Sequence, residues 1–127
     1  MHRSRLAGFI IDCQTEDLDA AARFWGAALG YAPETAAEAR EALYRTLRTA
    51  PDEPHIEVQK VGHASRVHLD IEADDIEAEV RRLQGLGARR IGEVGSWVVM
   101  QAPTGQRFCV VRVQRSDFAE HANTWDP

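Results

Sequence analysis

A strand that runs directly into an amphipathic helix occurs twice in this chain, 58 residues apart, and that duplication narrows the available folds more than any other feature. In the second copy Val67, Leu69 and Ile71 alternate with Arg66, His68, Asp70 and Glu72, so one strand face is apolar and the other polar. Asp74 or Asp75 caps the helix that follows, with Glu77 and Glu79 near its positive end. Ile76, Val80, Leu83 and Leu86 share one side of it, and Gly87 stops it. In the first copy Leu6 to Gln14 is the strand and Thr15 to Asp17 the capping turn. Leu18, Ala21, Ala22, Trp25, Ala28 and Leu29 then form the stripe of a helix ended by Gly30. Asp17 matches Asp75, Ala20 matches Ala78 and Arg23 matches Arg81 at the 58-residue offset, whereas Leu29-Gly30 matches Leu86-Gly87 at 57.

Each helix leads into further strands. Ala42 to Arg48 and His55 to Val61 read as strands in the first half, and Glu34 to Glu41 as a loop or strand edge. In the second half, Ala88 to Glu93, Ser96 to Ala102 and Gln106 to Val113 read as strands, the last two joined by the Pro103-Thr-Gly105 turn. A unit of one helix and up to four strands is too small to shield its own sheet, so two copies are expected to pack side by side. The expected fold is α+β: two tandem β-α-β-β-β modules forming a curved, cup-shaped mixed sheet with helices outside. Module 1 covers about 5–62, module 2 about 65–114 and a tail 115–127, all within a single domain of 127 residues.

A formal charge of −5 argues against a basic nucleic-acid-binding surface. No apolar run is long enough to span a bilayer or form a signal core, so a cytoplasmic protein without a membrane partner is expected. Cys13 and Cys109 lie far apart in apolar strand contexts and read as buried free thiols. The glycines Gly92, Gly95 and Gly105 mark turns and do not form a phosphate cradle.

Three segments together resemble the glyoxalase, bleomycin-resistance and extradiol-dioxygenase superfamily, the vicinal oxygen chelate fold, and within it the glyoxalase-like single-domain proteins. They are Asp17-Leu-Asp-Ala-Ala-Ala-Arg-Phe-Trp-Gly-Ala-Ala-Leu-Gly30, Arg66-Val-His-Leu-Asp70 with its helix, and Ala102-Pro-Thr-Gly-Gln-Arg-Phe-Cys109. The resemblance implies the fold more than the activity, because this scaffold hosts lyases, isomerases, dioxygenases and non-catalytic drug binders. It also implies a homodimer, a small-molecule ligand, and a divalent metal held by two His and one or two Glu. Carried onto this chain, those ligand positions are Ile10, Glu57, His68 and Cys109, so His68 and Glu57 are the conventional metal ligands that remain.

The leading expectation is therefore a glyoxalase-like protein that binds a small organic molecule without a complete conventional metal site, with His68, Glu57 and Trp97 lining the pocket. The alternative is a metal-dependent lyase, isomerase or dioxygenase using His68 and Glu57. As a candidate catalytic residue His68 suits proton transfer near neutral pH, while the plain reading holds it between Arg66 and Asp70 for local hydrogen bonding. Asp12 and Asp70, also 58 residues apart, read as acceptors for arginines such as Arg66. Trp97 shares a strand side with Val99 and Gln101, Trp25 belongs to a core stripe, and Trp125 in the polar tail reads as folding back over either the cup or a neighbouring chain.

Overall fold

In the computed structural model, which describes residues 1–126, capping sets both long helices where their sequence signals stand. Helix α1 (Leu18–Leu29) starts at Asp17, whose carboxylate accepts the Ala20 N–H at 3.0 Å, and ends at Gly30 with φ of 81°. Helix α2 (Ile76–Gly85) starts at Asp75, which accepts the Ala78 N–H at 3.0 Å, and Gly87 beyond it has φ of 105°. Left-handed backbone at both ends is why glycine stands there. The strands are β1 (His2–Gln14), β2 (Tyr44–Leu47), β3 (His55–Val61), β4 (Arg66–Ala73), β5 (Arg89–Val94), β6 (Trp97–Gln101), β7 (Arg107–Arg112) and β8 (Asn123–Trp125), with a short helix α3 (Phe118–His121) before the last. The architecture is mixed α+β, with two β-α-β units in tandem.

Two compact units share these elements: Gly8–Val67 forms one, and Met1–Ala7 joins the chain from His68 onward in the other. In the Gly8–Val67 unit, β3 runs parallel to β1, with Ile10 opposite Glu57 and Asp12 opposite Gln59, and antiparallel to β2. Helix α1 covers one face, where Ile11, Leu18, Leu47 and Val58 are buried and Trp25 packs against them. Gly8 is required by close approach, since a Cβ there would lie 2.2 Å from the His55 carbonyl oxygen. Residues 34–41 form turns: the Thr35 N–H donates to the Glu38 carboxylate, and the Glu38 N–H to the Thr35 carbonyl. The first-half strand before β2 shrinks to a single bridge from Pro33 to Leu47.

In the other unit the order is β4-β7-β6-β5, with β4 and β7 parallel and the remaining pairs antiparallel. Helix α2 packs on Ala73, Val98, Met100 and Val110 through Val80 and Leu83. The tail holds more structure than its polar composition suggests. Strand β8 pairs antiparallel with the start of β1, His2 opposite Trp125, which carries β1 four residues further toward the N-terminus than the alternation of apolar residues indicates.

Glu79, in the first turn of α2, has a role beyond the helix dipole. It is fully buried, accepting from Ser4 Oγ at 2.8 Å and Arg82 Nε at 2.8 Å, and paired with His2 Nε2 at 2.7 Å. Trp125 closes this group: its indole N–H donates to Ser4 Oγ at 2.8 Å, and the Arg82 guanidinium lies 3.9 Å from its ring centroid. Burial opposes charge on Glu79, but hydrogen bonds from Arg82, His2 and Ser4 outweigh it and hold the carboxyl below its ordinary 4.5. Its stabilisation is thus fully present above the ordinary glutamate range and lost as the pH falls through the lowered value. Glu79→Gln is expected to lose about 3 kcal/mol in urea unfolding at pH 7, with the deficit against wild type shrinking in acid. A deficit independent of pH would contradict the ionised assignment.

Candidate functional site

The second strand-helix unit divides its side chains by alternation. Ile71 and Ala73 of β4 and Phe108 and Val110 of β7 pack toward α2, so His68, Asp70 and Glu72 share the opposite face with Arg107, Cys109 and Val111. The parallel register sets Asp70 opposite Cys109, and the antiparallel one sets Cys109 opposite Val99 and Arg107 opposite Gln101.

Glu72 is taken up by structure. It is fully buried and accepts from Arg5 Nε at 2.8 Å and from the backbone N–H groups of Gln114 and Arg115 at 2.7 and 3.0 Å. Three reactive groups stand together: one donor atom each from His68, Asp70 and Cys109 lies within 4.8 Å of the others. His68 Nε2 stands 3.5 Å from Asp70 Oδ1, with the two side chains 13% and 12% exposed. That separation is an ion-pair distance and long for a hydrogen bond.

Sequence reasoning placed Asp70 beside His68 and read it as an arginine acceptor; the structure brings Asp70 to His68 and also to Cys109. Asp12, its 58-residue counterpart, does meet an arginine, with Arg66 Nε 3.6 Å away. The register also revises the internal correspondence. Asp70 lies opposite Cys109 and Asp12 opposite Gln59, so the first-half counterpart of Cys109 is Gln59 and not Glu57. Glu57 is half-buried on the polar face of its own unit, opposite Ile10 on one side and Thr46 on the other. Arg107 and Gln101 were missed, although period-two alternation from Cys109 across the Pro103-Thr-Gly105 turn would have found them. Arg107 is half-buried and has no ion-pair partner among the described residues.

The family's conventional ligand set does not fit here. Ile10 is 4% exposed and offers no donor atom, and Cys109 replaces a carboxylate. Trp97 borders a separate cleft of about 220 Å³ with Ile76, Glu77, Glu93 and Arg112, and its ring lies 3.5 Å from where a Gly95 Cβ would stand. None of His68, Asp70 and Cys109 lines that cleft. Another cleft, of about 470 Å³, lies in the Gly8–Val67 unit between Gln14, Leu43 and Lys60, and holds none of the residues singled out as a site. No helix is long and apolar enough to cross a membrane among the described residues.

A family model described as a glyoxalase-like domain matches residues 8–111. Solved structures with a similar fold include a hypothetical protein from Bacillus halodurans C-125, at 14% identity, TM-score 0.58, and coverage of 89% of this chain and 98% of that one. A methylmalonyl-CoA epimerase in complex with methylmalonyl-CoA and NH4+ is similar at 16% identity, TM-score 0.52, and coverage of 86% and 95%. A Streptomyces coelicolor methylmalonyl-CoA epimerase variant in complex with 2-nitronate-propionyl-CoA follows at 16%, TM-score 0.51, and coverage of 88% and 97%. At these identities the likeness is one of fold. No curated protein matches the sequence.

Both cysteines are free thiols, Cys109 buried and Cys13 half-buried. Burial pushes the Cys13 thiol above its ordinary 9.0. In a Cys109→Ser variant, iodoacetamide labelling followed by mass spectrometry should therefore speed up with pH through a midpoint above that value, because thiolate is the reacting form. A midpoint below it would show an activated thiol instead.

Proposed function

Because the chain belongs to the glyoxalase-like domain family, matched over residues 8–111, we propose that it binds a small organic molecule carrying a carboxylate or carbonyl, on the polar face of β4, β7 and β6. One observation supports this reading above the others: Arg107, a half-buried cation without an ion-pair partner among the described residues, shares that face with His68 and Gln101. A guanidinium and an amide offer directed donors to an oxygen-bearing group, and an imidazole can donate or accept beside it. His68 is then the ligand-contacting residue and the acid/base candidate if turnover occurs. Glu57 and Trp97 belong to this reading as flanking candidates, each on its own surface. With Ile10 at the first family ligand position, the conventional metal set forms no part of the reading.

Ligand-detected NMR of the chelator-treated protein against a panel of small carboxylates and ketones tests it. At least one compound is expected to bind and to shift the His68 ring resonances. His68→Ala and Arg107→Ala should each weaken that compound about tenfold, roughly 1.4 kcal/mol, with the fold unchanged by circular dichroism. Binding that survives both substitutions, or hits that perturb only residues away from β4 and β7, would overturn the reading. Glu57→Gln and Trp97→Ala, measured the same way, decide whether those two side chains contribute.

A further inference from the structure

We propose that the cleft of about 220 Å³ at the start of α2 is a second binding site, separate from the polar face of β4 and β7, for a small apolar α-amino acid in its zwitterionic form. Its apolar part comes from three side chains. Val98 is 3% exposed, Ile76 packs against the core beneath α2, and the half-buried Trp97 lays its ring beside Gly95 in the turn between β5 and β6. An indole face takes either an aliphatic side chain or an ammonium group. The volume lies below the ~300–1,000 Å³ of sites for drug-sized ligands, so the occupant is small.

The charged groups decide what kind of molecule fits. Glu77 and Glu93 both line the cleft, and one guanidinium serves the two: Arg90 donates to Glu77 Oε2 at 2.7 Å and Oε1 at 3.0 Å, and to Glu93 as well. Hydrogen bonding from Arg90 holds the Glu77 carboxyl below its ordinary 4.5, so it is ionised at neutral pH. Two carboxylates sharing one cation leave a negative charge over. Arg112 supplies the opposite excess. It follows Val110 by two residues on β7, just as Ser96 precedes Val98 by two across the antiparallel ladder, so alternation puts Arg112 and Ser96 on the side of the sheet that carries α2. Neither the Arg112 guanidinium nor the Ser96 hydroxyl has a partner among the described residues, and Arg112 pairs with neither glutamate. The cleft therefore holds one spare charge of each sign. A simple anion would meet the glutamates and a simple cation would meet Arg112, whereas a zwitterion satisfies both, its carboxylate on Arg112 and Ser96 and its ammonium toward Glu93. All of these groups belong to one compact unit of the chain.

The test titrates the full chain with L-valine, N-acetyl-L-valine and L-valinamide while following the indole N–H resonance of Trp97, assigned with Trp97→Phe. Valine should shift that resonance saturably. The acetylated compound lacks the ammonium and the amide lacks the carboxylate, so each should bind at least about tenfold more weakly. Arg112→Gln should erase the preference for valine over valinamide, and Glu93→Gln the preference for valine over N-acetylvaline, a pattern that general loosening of the fold would not produce. No saturable shift with valine, a blocked compound binding as tightly as valine, or both preferences surviving in the variants would overturn the site. If either variant fails to fold, the three compounds on the wild type decide alone. The Trp97 resonance reports this cleft and the His68 ring the face of β4 and β7, so the two proposals fail separately.

Discussion

The parallel ladder between β4 and β7 is the constraint from which the chemistry of this chain follows. It runs from Leu69 opposite Phe108 to Ala73 opposite Arg112, and its register decides which side chains share a face. Phe108 and Val110 go to the core under α2, and Cys109 is left opposite Asp70 on the other side. A slip of one residue would send Cys109 into that core and bring Phe108 to the polar face. Apolar packing under α2 therefore also sets where the thiol, the carboxylate and, two residues along, the imidazole stand.

Buried charge secures the edges of this unit. Glu72 gathers Arg5 and two tail N–H groups, and Arg5 reaches on to Asp117 at 2.5 Å. Glu79 gathers His2, Ser4 and Arg82. Each carboxylate would be costly alone, and each is satisfied by several donors from distant parts of the chain. They act as specific fasteners for segments with little apolar surface to offer. Arg3 and Arg5 add to this by lying 5.9 and 5.8 Å from the centroid of the buried Phe118 ring.

Much of this was legible in the sequence because it rests on local periodicity. The two helices, their aspartate caps and glycine ends, the order of the strands and the repeat all follow from residues within a few positions of one another. What stayed hidden depends on pairing across long separations. That Trp125 could fold back was legible, but not that its indole would meet Ser4, 121 positions away. Glu79 was legible as a charge near the helix start, but not as the meeting point of Ser4 and His2. Gln59 could be recognised as the counterpart of Cys109 only through strand register, a property no spacing along one chain expresses. The helix stripes were also read too long: Leu29 and Leu86 lie exposed.

The union of Met1–Ala7 with residues from His68 onward has a temporal side. During synthesis His2, Ser4 and Arg5 must wait through the whole of Gly8–Val67 for Glu72, Glu79 and finally Trp125. Residues made ahead of that unit are thus fastened after it, and a partner that captured their strand beforehand would stall assembly of the half that carries His68.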